Sequence, residues 1–317
     1  MKAVHLRTEY LSEPLGLGSA QPRFYWNCEG GIKQTAYQIV CKRGKEPIWD
    51  SGKVDSSSMT HIRYAGKPLR SRDLVAWSVQ LWDENDAVGD IAESSFELGL
   101  LDASEWKAKW ISGDYKPKTD RRYPADCFKK EFYAKSEIFK ARLYATARGV
   151  YDVTINGHRV ENFILAPGIT DYRKRIQVQT YDVTDLLKGQ NTVELRLGDG
   201  WFRGSTAAYG VTNVYGTQTS VLAQLEITYA DGRTETIGTD KTWAWSNDGP
   251  IRFNDLKDGE VYNAAMQPSY RGQAIEVPAP KGVLLCASDN VPVKEHERFT
   301  PTLLPGNVLD FGQNIAG

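Results

Sequence analysis

Gly198-Asp199-Gly200-Trp201-Phe202-Arg203-Gly204 packs an acid, a guanidinium and an indole into one short glycine-rich turn. Asp199 can accept hydrogen bonds, Arg203 can donate them, and Trp201 offers a flat apolar face. Together these types grip a polyhydroxylated ring whose C–H face stacks on an aromatic. Tyr209 and Tyr215, with Asn213, follow in a Gly/Thr-rich segment that reads as a rim loop and extends this candidate binding set. The same residues also have an architectural reading, in which Trp201 plugs the end of a sandwich and Asp199 pairs with Arg203.

A second cluster, Asn254, Asp255, Asp258, Glu260, Tyr262 and Asn263, carries hard oxygen donors of the kind that hold Ca²⁺. It also reads as a plain turn cluster, and no other cofactor is expected. The chain has 40 acidic residues, so chance carboxylate pairs are unavoidable. They fall mainly in turns beside Lys or Arg, and no pair stands out as a general acid and base. His5, His61, His158 and His296 are dispersed, without metal spacing or a nucleophile beside them. Nothing resembles a phosphate loop, so no catalytic residue is assigned.

These side chains must be held by strands. Phe24 and Trp26 alternate, as do Tyr37 and Ile39, and then Val75, Trp77, Val79 and Leu81. A period of two marks half-buried strands. Trp49-Asp50-Ser51-Gly52 and Asp83-Glu84-Asn85-Asp86 supply turns between them. Further along, Tyr151, Val153 and Ile155 face one way, and Asn156-Gly157 suits a type I′ hairpin. Tyr181 to Leu187 reads as a short helical step, and Val193, Leu195 and Leu197 resume the alternation. Leu222, Gln224 and Glu226 alternate less cleanly, Asp231-Gly232 makes another turn, and Trp243 and Trp245 share a face.

The expectation is an all-β chain: a fibronectin III or immunoglobulin-like sandwich over 1–101, a connector over 102–126, a jelly-roll (galactose-binding-like) sandwich over 127–280, and a truncated third β segment over 281–317. In the connector, Asp102 caps a helical turn carrying Trp106, and Tyr115 to Pro124 reads as an exposed loop. With 39 basic against 40 acidic residues, no strong field draws nucleic acid or an anionic membrane. The N-terminus lacks a secretory signal and no apolar run reaches the roughly 18 residues that span a bilayer. Four scattered cysteines, Cys28, Cys41, Cys127 and Cys286, show no CxxC spacing and fit reduced thiols, although Cys28 and Cys41 could lie on neighbouring strands. A cytoplasmic location is expected.

An ordered series of short motifs runs along nearly the whole chain. It includes Pro22-Arg23-Phe24 with Trp26, Trp49-Asp50-Ser51-Gly52-Lys53-Val54, Trp77-Ser78-Val79 with Trp82-Asp83, and Trp106-Lys107-Ala108-Lys109-Trp110-Ile111. Its strongest part is Tyr151 to Asn156, Pro167-Gly168, Thr170-Asp171-Tyr172, Tyr181-Asp182-Val183-Thr184 and Leu197-Gly198-Asp199-Gly200-Trp201, with Asp310-Phe311-Gly312-Gln313-Asn314 at the end. In this the chain resembles the N-terminal half of bacterial α-L-rhamnosidases, inverting glycoside hydrolases with a helical (α/α)6 catalytic barrel. The resemblance implies a non-catalytic portion, inactive alone, whose partners are a rhamnose-containing glycoside and a catalytic barrel beyond Gly317. Two other roles remain open: a module that itself binds rhamnose or a related sugar, and a structural β-module of another glycosidase. The family's Gly-Glu-x-Tyr-Asp-Ala-Arg pattern stands here as Gly259 to Ala265, with Asn263 and Ala265 replacing the acid and the arginine, which weakens a calcium or sugar-clamp role there.

Overall fold

Alternation along Leu74–Trp82 puts Val75, Trp77, Val79 and Leu81 on one buried face. In the computed structural model, which describes residues 1–161, 163–206, 210–288 and 290–315, this strand lies between Ala36–Arg43 and Ala92–Leu98, both antiparallel to it. Leu15–Leu17, Glu46–Asp50 and Val54–Asp55 complete that sheet. A three-stranded sheet of Lys2–Thr8, Arg23–Glu29 and Ile62–Arg63 packs over it. Phe24 meets Trp77 with ring centroids 4.6 Å apart, and the buried indole of Trp26 donates to Gln34 Oε1 at 2.9 Å. Cys28 and Cys41 sit in these two different sheets rather than on neighbouring strands, and all four cysteines are free thiols.

The second sandwich faces a seven-stranded sheet against a six-stranded one. In the first, Ser220–Tyr229 and Ile138–Arg148 form the long central pair, with Arg175–Asp182 beside them. In the second, Gln190–Gly198 lies between Val150–Ile155 and Asp126–Tyr133. Tyr151, Val153 and Ile155 enter the shared core with Val193, Leu195 and Leu197. Asn156 and Gly157 take φ of 53° and 80°, the left-handed pair that a type I′ turn requires. The step after Tyr181 is a 3-10 turn over Thr184–Leu186, opened by Asp182 accepting from the Thr184 amide at 3.0 Å. Trp243 enters the core just ahead of Ala244–Ser246, and Trp245 packs against the same core from that strand.

The imperfect alternation of Leu222, Gln224 and Glu226 has a cause. Ser220–Tyr229 is covered on both faces. Its outer face receives the connector, where Gln224 accepts from the amides of Lys107 at 2.6 Å and Ala108 at 3.1 Å. Asp102 caps Ala103–Glu105 there in a reciprocal capping box with Glu105. Arg72 then reaches from the first sandwich to grip Glu226 through two bonds of 2.6 and 2.7 Å, and also pairs with Glu105.

The more deeply buried tie between the sandwiches is Glu97. It is 2% exposed and accepts two bonds of 3.0 Å from Arg142, with Lys140 2.9 Å away. Beyond Pro280 the chain stays with the second sandwich, since Leu284–Ala287 pairs in parallel with Arg175–Asp182. A separate hairpin, Thr302–Leu304 with Val308–Asp310, follows. No helix among the described residues is long and apolar enough to cross a membrane.

A buried ion pair is dear to break, because the surviving charge is left desolvated. Glu97→Ala is expected to cost about 3 kcal/mol. It should split urea unfolding, followed by tryptophan fluorescence, into two transitions as the sandwiches uncouple. A single transition at the wild-type midpoint would refute the role given to Glu97.

Candidate functional site

The turn after Gln190–Gly198 is built around its glycines. Gly200 has φ +52°, and a Cβ there would stand 2.6 Å from Val150 Cγ1 and 2.8 Å from the Val150 amide nitrogen. That close approach lets one helical turn, Gly200–Arg203, follow the strand directly. The turn places Asp199 and Arg203 one above the other, four residues apart.

Both point inward. Asp199 is 1% exposed, and its Oδ1 accepts from Arg203 Nε at 2.8 Å. Arg203 Nη1 donates to the Tyr115 hydroxyl at 2.9 Å and to the Thr217 carbonyl at 3.3 Å. Tyr115 passes its own proton toward Asp126 Oδ2 at 3.0 Å, while Asp126 Oδ1 accepts from Trp245 Nε1 at 2.9 Å. The result is a continuous chain of carboxylate, guanidinium, phenol, carboxylate and indole. Tyr115 stacks on Trp245 with centroids 6.1 Å apart, and Tyr123 lies 4.8 Å from Tyr115 on the other side. Residues 115–124 form a loop, as expected, with Lys116 and Lys118 to Arg121 exposed, but Tyr115 and Tyr123 turn inward and are half-buried parts of the second sandwich.

Burial governs the protonation of both acids. It pushes Asp126 up to about 6, against the pull of the Trp245 hydrogen bond and the Arg203 charge. Burial likewise raises Asp199, with Arg203 opposing. A raised carboxyl is a familiar mark of a general acid. Here the mark is structural, because both carboxyls are closed off from solvent and a scissile bond could not reach them.

The other candidates lie elsewhere. Trp201 and Tyr215 are half-buried and pack against a separate apolar cluster of Ala108, Trp110, Tyr172, Ile176, Phe202 and Leu222. Tyr215 lies 5.1 Å from Tyr172, with the Arg173 guanidinium 5.4 Å above its ring. Tyr209 falls outside the described residues. The four described candidates thus do not converge on one exposed surface. For Asp199 and Arg203 the geometry matches the architectural reading.

In the second cluster, Asp255 and Asp258 are neutralised by an arginine from outside it. Arg122 bonds Asp255 Oδ2 at 2.8 Å and Asp258 Oδ2 at 3.0 Å. Asp255 also accepts from the amides of Ser205, Lys257 and Asp258. Burial works against its charge, but those backbone donors hold its carboxyl below the usual range. A guanidinium occupies the place that a bound cation would fill, so these residues do not fit Ca²⁺. Among the described residues, no group of three or more His, Cys, Asp or Glu is arranged to hold a metal ion. Sequence reasoning missed Tyr115, Arg122 and Asp126. The one available signal was the aromatic and basic content of 115–126.

Asp126 gives the network a pH signature. Its folded value of about 6 lies above the ordinary 3.8, so the folded state binds more protons between those limits. The stability it contributes is present below pH 4 and lost as pH rises through 6. In Asp126→Asn that loss is absent, so the mutant gains on the wild type by up to about 3 kcal/mol between pH 4 and pH 7. Urea midpoints across that range would show it, and a constant difference would contradict the assignment.

Two family models match the chain: the "Rha78A-like, N-terminal immunoglobulin domain" over residues 3–102 and the "Alpha-L-rhamnosidase N-terminal domain" over residues 136–297. An α-L-rhamnosidase of Formosa agariphila is 39% identical over 287 residues, covering 84% of this chain and 31% of that protein. The solved α-L-rhamnosidase of Aspergillus terreus superposes with a TM-score of 0.86 at 30% identity, over 99% of this chain and 39% of its own. That of Streptomyces avermitilis, solved with L-rhamnose, gives 0.85 at 25% identity, over 99% of this chain and 49% of its own. The chain thus spans about a third to a half of the length of these relatives. With one model covering the first sandwich and the other most of the second, in the order the solved relatives show, the chain belongs to the α-L-rhamnosidase N-terminal domain family.

Proposed function

We propose that this chain is the accessory β portion of an enzyme that hydrolyses terminal α-L-rhamnosyl groups from glycosides with inversion, the chemistry being done by a catalytic barrel that this chain does not include. The observation that carries the reading is the superposition of 99% of this chain onto 39% of a solved rhamnosidase, with the remainder of that enzyme unaccounted for. The acids support it. Inverting hydrolysis needs two carboxyls roughly 6.5–9.5 Å apart across an open site, one of them protonated. The two carboxyls raised by burial, Asp126 and Asp199, are enclosed, and Glu97, Asp255 and Glu226 are committed to arginines.

The hairpin near the C-terminus supports a larger assembly. Leu303 and Leu309, cross-strand partners, are 67% and 55% exposed. An isolated two-stranded ribbon is marginal in water, so further β structure is expected to cover it.

Hydrolysis of 4-nitrophenyl α-L-rhamnopyranoside separates the alternatives. This chain alone is expected to give no release of nitrophenol above buffer, whereas a polypeptide that joins it to a catalytic barrel turns over and yields β-L-rhamnose first, as read by proton NMR. Turnover by this chain alone would overturn the division of labour, and a joined polypeptide that cleaves only other glycosides would overturn the substrate.

A further inference from the structure

A cleft of about 240 Å³ opens on the second sandwich, beside the strand exit that leads to the buried Asp199–Arg203 pair, where Val150–Ile155 and Gln190–Gly198 meet the Ile251–Asp255 strand. One wall is apolar, formed by Phe163, Ile164 and Ile251. Leu165, next in the chain, holds φ +61°, a left-handed conformation that a leucine rarely adopts. Such strain is characteristic of ligand clamps. The Arg159 Nη2 donates to the Phe163 carbonyl at 3.2 Å and its Nε pairs with Asp152 at 3.2 Å, which ties the apolar wall to the polar rim.

The polar side of the cleft holds unspent hydrogen-bonding capacity. Asn254 Oδ1 accepts from the Asp199 amide at 2.7 Å. That bond fixes the orientation of the side-chain amide, because a flipped Asn254 would set donor against donor. Its Nδ2 is then left buried with no partner among the described residues. Gly198 permits this approach, since a Cβ there would stand 2.6 Å from Asn254 Oδ1. Arg196 and Glu260 also line the cleft, both exposed, and neither side chain is held by an ion pair or hydrogen bond among the described residues.

We propose that this cleft binds a single neutral pyranose ring, with its C–H face on Ile164 and Ile251 and its hydroxyls on Asn254, Arg196 and Glu260. Two arginines face two carboxylates here, so the cleft carries no net charge to favour an anion or a cation. A volume below the roughly 300–1,000 Å³ of drug-sized sites fits one ring rather than a chain of them. A donor, an acceptor and a guanidinium beside an apolar wall are the groups that a polyol with one apolar face demands. The site adjoins the Gly198–Gly204 turn through Gly198 and the Asn254–Asp199 bond but does not include Trp201, Arg203 or Tyr215. It rests on the rhamnosidase reading only for the choice of L-rhamnose as first probe.

The test is NMR titration of the ¹⁵N-labelled chain with L-rhamnose, D-galactose and D-glucose. A saturable shift by at least one sugar is expected, concentrated in residues 150–165, 196–198 and 251–260. Arg196→Met and Glu260→Gln each remove an exposed charged group and should leave the thermal midpoint unchanged, while weakening binding about tenfold. Trp201→Ala should leave the affinity unaltered. No saturable shift with any of the three sugars, full affinity in both cleft variants, or shifts centred on Trp201 would each overturn the site. Hydrolysis by the joined enzyme without binding here would remove this site alone. Binding here without rhamnoside hydrolysis would remove the rhamnosidase reading and leave the cleft standing.

Discussion

Glu97 belongs by sequence to the last strand of the first sandwich, yet its charge is balanced by Arg142 and Lys140 of the second. Arg72 makes the reciprocal reach, from the first sandwich to Glu226 on the central strand of the second. Charges this enclosed are tolerated only when their partners are held in place. The seam therefore constrains both cores at once. It sets where the connector runs, because Gln224 takes the Lys107 and Ala108 amides, and hence where Trp106 and Trp110 meet the outer sheet.

The same logic explains why the glycine-rich turn is architecture. A short helix with an acid and an arginine four apart, at the end of a sheet, could expose both to a ligand. Here Tyr115, Tyr123 and Trp245 close over it, and Arg203 satisfies Asp199 and Tyr115 together. Desolvation raises the two carboxyls, and the Arg203, Tyr115 and Trp245 donors make that burial tolerable. Chemistry-bearing residues are thus used to close one end of the sandwich. Beside it, Asn254 Nδ2 and the exposed Arg196 and Glu260 side chains are left without hydrogen-bond partners among the described residues.

Placed in its family, the chain matches one part of longer enzymes. Relatives two to three times longer contain this pair of sandwiches as one part of themselves. A pair locked through buried ions makes a firm support.

Much of the fold was legible in the residues, because strand period and turn chemistry are local. Val75 to Leu81, Tyr151 to Ile155 and the Asn156-Gly157 turn each declare their faces and φ values without reference to anything distant. Gly198 and Gly200 likewise announced a tight strand exit. What the sequence could not settle was which side of that exit meets water. Asp199 lies 73 positions from Asp126 and 84 from Tyr115, and only folding brings all three around Arg203. Arg122 meets Asp255 over 133 positions, turning a candidate cation site into an ion pair. Alternation reports burial on a strand, but the fate of a polar group depends on partners far along the chain, and only the tertiary structure chooses them.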